Sequence, residues 1–157
     1  MIDVKRVMHP TDFSDYSNEA CKYACALSDK FGSELHLVHV LPEPATLLPH
    51  DPMGGVGYLP EGWVEDMLVQ SEQQLAKLPN PDWYKGTRIV RASLEGPAFL
   101  EIIRYAKDND IDMIVMSTHG RTGIPHLLMG SVAENVVRKA PCPVLTLRPR
   151  KHQFVMP

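Results

Sequence analysis

The order of apolar patterns along the chain predicts an α/β protein: one domain built on a doubly wound, five-stranded parallel sheet with helices on both faces. Three observations carry that expectation. Short apolar runs alternate regularly with segments whose apolar residues recur at helical spacing, the pattern of βαβ units with parallel strands. The runs, Ile111–Val115 most clearly, are apolar and rich in β-branched residues, as strands covered on both faces are. The fourth run passes into a Gly-rich stretch, Met116–Ser131 (MSTHGRTGIPHLLMGS), and then into a helical segment.

The elements are taken in chain order. Val4–His9 reads as the first strand, ended by Pro10, with Ser14 or Asp15 available to cap the first helix. Ala20, Tyr23, Ala24, Leu27 and Phe31 form the apolar stripe of that helix over Tyr16–Phe31, which Gly32 stops. Glu34–Val40 is the second strand, with Leu35, Leu37 and His39 on one face and His36, Val38 and Val40 on the other. Between Pro42 and Pro60 lie five prolines and three glycines, so Leu41–Gly62 is a long loop. A loop of about 20 residues in a compact domain has a reason, lids and contact surfaces being common ones. Helix resumes over Trp63–Leu78 until Pro79 and Pro81 end it, and Thr87–Ala92 is the third strand. Pro97 opens a helix with Phe99, Ile102, Ile103 and Ala106 as its buried stripe. Asp112–Met116 is the fourth strand, Val132–Ala140 the last helix and Pro143–Leu147 the last strand. Residues 1–149 are the expected domain and 150–157 a polar tail.

Composition narrows the function. A chain of 157 residues suffices for one core, and a net charge of −3 without a basic run does not favour nucleic acid. No apolar stretch approaches the roughly 18 residues that span a bilayer, and MIDVKRVMHPTDFS lacks the apolar centre of a signal peptide. Cytoplasm is the expected compartment. Cys21, Cys25 and Cys142 are too few and too oddly spaced for a disulfide framework, and packing explains the first two. His9, His36, His39 and His50 make no metal-binding set.

Ligands of doubly wound sheets bind beyond the carboxyl ends of the strands, where the strand order reverses. That rule gathers Pro10–Ser14, the end of the second strand at Val40, and Met116–Ser131. A Gly-rich turn before a helix N-terminus offers unpaired N–H groups and a positive dipole to an anion, here the phosphates of an adenine nucleotide. Ser131 also has a local explanation, since Ser131-Val132-Ala133-Glu134 reads as an S-x-x-E capping box. Asp12, at a strand-end loop facing the phosphates, suits Mg²⁺, ribose or adenine, or a cap for the helix after it.

With these residues assembled, the chain resembles the universal stress protein family over nearly its full length. That family's nucleotide-binding members carry glycine, two residues, glycine, nine residues, glycine, then serine or threonine. His119-Gly120, the nine residues Arg121–Met129 and Gly130-Ser131 match the second and third parts, and the first glycine falls on Ser117. Pro10-Thr11-Asp12-Phe13-Ser14 is similar to the family's first loop, and GSVAENVVRKAPCPVLTLRP, Gly130–Pro149, to its last helix and strand.

The resemblance implies an adenine nucleotide alpha hydrolase-like variant of the flavodoxin/Rossmann-like fold, binding ATP or AMP. It implies Gly120, Gly130, Ser131 and the following Val132 at the phosphates with His119 near them, and Met116 at the ribose or adenine edge through its backbone. It places Pro10 and Thr11 on the base side, Val40 against the adenine and Asp12 in contact with ligand, directly or through nucleotide-bound Mg²⁺. It further implies a homodimer through the last strand, Val144–Leu147, and a role in stress response. Ser117, where the backbone should pass close to ribose or phosphate, adds a Cβ and a hydroxyl; Ser117→Gly is expected to raise ATP affinity. Gly123 and Arg121 read as loop geometry and a solvated cation.

An efficient ATPase shows a phosphate-gripping lysine, a metal carboxylate and a group that positions water. There is no G-x-x-x-x-G-K-[ST] and no lysine in Met116–Ser131. A binding and signalling or protective module with slow or no hydrolysis is therefore the expectation. The alternatives are a Mg²⁺-dependent ATPase or phosphotransferase built on Asp12, and a nucleotide-free protein-interaction module using loop 41–62.

Overall fold

The computed structural model describes residues 3–43, 60–86, 88–119 and 129–148. Its elements run β1 (Arg6–Pro10), α1 (Asp15–Phe31), β2 (Glu34–Leu41), α2 (Trp63–Ala76), β3 (Ile89–Glu95), α3 (Ala98–Asp108), β4 (Met113–Ser117), α4 (Ser131–Lys139) and β5 (Val144–Leu147). The strands form one five-stranded sheet in the order β3-β2-β1-β4-β5, every neighbouring pair parallel. The order reverses between β1 and β4, which opens the crevice of a doubly wound fold at their carboxyl ends.

Successive strand residues point to opposite faces, so an apolar run buries both. Val7, Leu35, Leu37 and Val115 pack under Cys21, Ala24 and Cys25 of α1 and Leu75 of α2. Met8, Val38, Ile114 and Met116 pack on the other face under Ile102 and Ala106 of α3 and Ala133 and Val136 of α4. The helices therefore cover the sheet in two pairs.

Helix α1 begins at Ser14, whose side chain accepts the Ser17 N–H, and ends at Gly32, whose φ of 67° suits glycine. The face it buries differs from the expected stripe. Ser17, Ala20, Cys21, Ala24, Cys25 and Ser28 are buried, whereas Tyr23 and Phe31 are each 44% exposed. Small side chains let α1 lie close on the strands, and the large aromatics are turned outward. Cys21 and Cys25 are thus core residues, and the hydrogen bond with Cys21 and then burial hold the Cys25 thiol above its ordinary range. Strands β2 and β3 run further than expected, because they stay paired as far as Leu41 and Glu95. Strand β5 is an edge strand with Leu145 exposed. Among the described residues no helix is long and apolar enough to cross a membrane. The tail, residues 44–59 of the long loop, and the expected start of the third strand at Thr87 lie outside the described residues.

Candidate ligand cavity at the switch point

The crevice has its origin in one proline. Asp112 N–H donates to the Arg6 carbonyl, so the main-chain groups of Arg6, Met8 and Pro10 face β4. Pro10 has no N–H to give, and the paired register between β1 and β4 ends at Met8 and Ile114. The Val115 carbonyl is served instead by the His9 ring, Nδ1 lying 2.8 Å away. A proton on Nδ1 leaves Nε2 without one, and Nε2 lies 3.3 Å from the Ser17 hydroxyl oxygen. His9 is fully buried, and burial lowers its pKa to about 4 against the opposing pull of the Val115 carbonyl and Asp12. The ring is therefore neutral at pH 7.

Past Pro10 the chain bends away through a tightly held loop. Thr11 N–H donates to the Val38 carbonyl (2.8 Å), and the Thr11 carbonyl accepts from His39 Nδ1 (2.7 Å). Phe13 takes a left-handed φ of 63° and sets its ring 4.5 Å from that of His39. Asp12 Oδ1 accepts from both the N–H and the hydroxyl of Ser14 at 3.0 and 2.6 Å. Ser14 is the cap of α1, and Asp12 holds the cap in place.

The opposite wall starts at the end of β4. Ser117 donates its hydroxyl to the His119 carbonyl (2.6 Å), closing a short turn. Ser117 is not among the residues of positive φ, so its conformation makes no demand for glycine. Thr118 N–H and hydroxyl both donate to the Leu147 carbonyl, and the same hydroxyl meets His119 Nδ1 at 2.9 Å. The Thr118 carbonyl accepts Gly130 N–H at 2.7 Å, and a Cβ on Gly130 would lie 3.2 Å from that oxygen. A Cβ there would be tighter than an ordinary contact, so a side chain at 130 requires the Thr118 carbonyl to give by a few tenths of an ångström.

That contact overturns the capping-box expectation. Gly130, with φ −70° and ψ 154°, is the cap residue of α4, and among the described residues no side chain caps the helix. Ser131 is the first helical residue and is exposed, while Glu134 pairs with Arg138 at 2.9 Å. The local S-x-x-E signal lost to a tertiary constraint one residue earlier. The consequence is chemical: the first N–H groups of α4 and the Ser131 hydroxyl are not consumed by a cap.

These segments enclose a cavity of about 270 Å³. Of the expected site residues, Pro10, Thr11, Asp12, Val40, Met116, Ser117, His119, Gly130, Ser131 and Val132 all line it. Gly120, with Arg121 and Gly123, lies outside the described residues. Sequence reasoning missed Ser17, Val38, His39, Ala98, Ile102, Thr118 and Ala133, which complete the lining. Helical spacing marked Ile102 as core; Ser17 and Thr118 lie beside or within the motifs and gave no separate signal. The signal that could have pointed to His9 is the proline, since a proline in a central strand leaves a carbonyl needing a donor from elsewhere. His36 is away from the cavity, held by Glu34 and Tyr105 at 2.9 Å each, and burial lowers its pKa. Among the described residues no cluster of three or more His, Cys, Asp or Glu is placed to hold a metal, and Asp12 is the one carboxylate on the cavity wall. An apolar floor, a helix N-terminus without a cap and a single acid can hold an anionic ligand with a flat apolar part.

Fold and site together define a doubly wound α/β protein with a ligand cavity at its topological switch point. The family model described as Universal stress protein family matches residues 3–148, and the chain belongs to that family. Universal stress protein MJ0531 of Methanocaldococcus jannaschii is 34% identical over 155 residues, covering 95% of this chain and 85% of the relative. Protein MJ0577 of the same organism is 27% identical over 154 residues, covering 92% and 94% of the two chains. Its solved structure superimposes with a TM-score of 0.67 over 96% of this chain and 99% of that one. A universal stress protein solved in complex with cAMP (TM-score 0.59, 20% identity, covering 93% and 98%) shares the fold. So does one from Archaeoglobus fulgidus in complex with dAMP (TM-score 0.55, 21% identity, covering 93% and 98%).

Proposed function

We propose that the cavity binds an adenine nucleotide, ATP or AMP, and that the protein is a stress-response signalling or protective module with slow or no hydrolysis. The observation that carries this reading is the uncapped N-terminus of α4, with Gly130 and Ser131, opening into the same cavity as Val40, Met116 and the Pro10–Asp12 loop. Phosphate belongs at the helix end, where N–H groups and dipole favour an anion. Adenine belongs against Val40, Met116 and Pro10. Two family members of the same fold were solved with adenine nucleotides, cAMP and dAMP, which supports the choice of base. Where the nucleotide carries Mg²⁺, Asp12 is the acid that would face it, and Gly120 and His119 complete the phosphate side. The second part of the reading is a homodimer through the edge strand β5, Val144–Leu147, since exposed edges invite pairing.

The test is direct. Purified protein is denatured and the released small molecules are identified by mass spectrometry, then ATP and AMP are titrated calorimetrically into emptied protein. Release or saturable binding of either is expected. Protein that releases none and ignores both moves the assignment to an interaction module. ATP turnover indistinguishable from that of Asp12→Asn is expected; turnover clearly above that variant supports a Mg²⁺-dependent ATPase.

A further inference from the structure

Below the cavity runs a hydrogen-bond chain that phosphate binding at α4 does not explain. Thr11, Ser17 and His9 are 5%, 2% and 0% exposed. Thr11 Oγ1 accepts from Phe13 N–H at 3.0 Å and from the Ser17 hydroxyl at 2.9 Å. A hydroxyl oxygen has two lone pairs and one hydrogen. Both lone pairs are engaged, and so are the Thr11 N–H and carbonyl, bound to Val38 and His39. What remains is the hydroxyl hydrogen of a buried residue that lines the cavity.

Ser17 decides this polarity. It has one hydrogen and two acceptors in reach, Thr11 Oγ1 at 2.9 Å and His9 Nε2 at 3.3 Å. The shorter contact falls in the ordinary range for O–H···O bonds and the other is long, so the hydrogen goes to Thr11. His9 cannot reverse the arrangement by donating from Nε2, because its one ring proton is committed to the Val115 carbonyl.

We propose that Thr11 presents its hydroxyl to the cavity as a hydrogen-bond donor, with Ser17 as the positioning residue that fixes it so. The site then reads one acceptor atom on the base or ribose of the nucleotide, which is a selectivity element separate from phosphate capture. This rests on the nucleotide reading of the same cavity. A neutral donor facing a nucleotide acceptor is worth about three- to tenfold in affinity, the range of one net hydrogen bond.

The experiment is a calorimetric analogue series. AMP, its 1-, 3- and 7-deaza forms and its 2′- and 3′-deoxy forms are titrated into the full-length wild type, Thr11→Val, Thr11→Ser and Ser17→Ala, with folding checked by thermal melts. Thr11→Val is expected to weaken AMP about three- to tenfold, and Thr11→Ser to recover the loss. One analogue, the one lacking the acceptor, is expected to lose that factor against the wild type and nothing against Thr11→Val. Ser17→Ala keeps the Phe13 contact to Thr11 and is expected to shrink the discrimination against that same analogue. A uniform loss for all ligands with Thr11→Val overturns the proposal, because that is the signature of a loosened loop. Unchanged discrimination in Ser17→Ala overturns the positioning role. Wild-type protein that binds none of the series removes the nucleotide reading and the Thr11 donor with it, an outcome distinct from both.

Discussion

His9 ties the fold to pH in a way that can be measured apart from every other group. Its side chain is fully buried and its pKa falls from 6.5 to about 4 in the folded protein. As pH drops through 6.5 the unfolded chain takes up the proton while the folded chain refuses it until near pH 4. Stability is therefore full above pH 6.5, declines between 6.5 and about 4, and levels off below. The gap corresponds to about 3 kcal/mol at about 1.4 kcal/mol per pH unit. His9→Asn isolates this contribution, because the amide nitrogen stands where Nδ1 does, keeps a donor for Val115 and does not titrate. Urea unfolding of both proteins at pH 7.5, 6, 5 and 4 gives two stability curves, from which the carboxylates and His36 cancel in the difference. The variant is expected to be the less stable at pH 7.5, by about 1–3 kcal/mol for imperfect packing and a poorer hydrogen bond. The difference should move by about 3 kcal/mol in the variant's favour on reaching pH 4. Parallel curves would refute the claim that a neutral His9 replaces the missing N–H of Pro10.

Three further outcomes are expected from the geometry. Ser14→Ala removes the cap of α1 and the hydroxyl bond to Asp12, and should cost about 1 kcal/mol in urea unfolding. Gly130→Ala forces a methyl against the Thr118 carbonyl; a lower melting temperature by several degrees, together with weaker AMP binding, is expected in calorimetry. Leu145→Lys charges the exposed edge strand; on the proposed dimer through β5, light scattering at micromolar concentration is expected to show a dimer for the wild type and a monomer for the variant.

The topology was legible because it rests on periodicity. Apolar runs buried on both faces and helices of crossover length leave few arrangements, and the switch-point rule then brings together loops far apart in sequence. Signals that depend on neighbours in space were not legible. Ser131 looked like a cap until the approach of Gly130 to Thr118 moved the helix start by one residue. The buried face of α1 was misjudged because large apolar residues were given more weight than small ones, whereas close packing on a sheet selects Ala, Cys and Ser. His9 and Ser17 stayed out of view because their role depends on a ladder register that no local pattern encodes.

Phe13 carries a different kind of information. A left-handed φ in a residue with a side chain costs about 1–2 kcal/mol, and the ring contact with His39 returns about 0.5–1.5 kcal/mol. The two nearly cancel. Glycine at that position would relieve the backbone but lose both the ring contact and the packing of the side chain against the core under α1. The loop between β1 and α1 would be freed from its aromatic anchor while still carrying Thr11 and Asp12. Position 13 thus joins the stability of the fold to the shape of the binding loop, so a substitution there registers in a melt and in a binding assay alike.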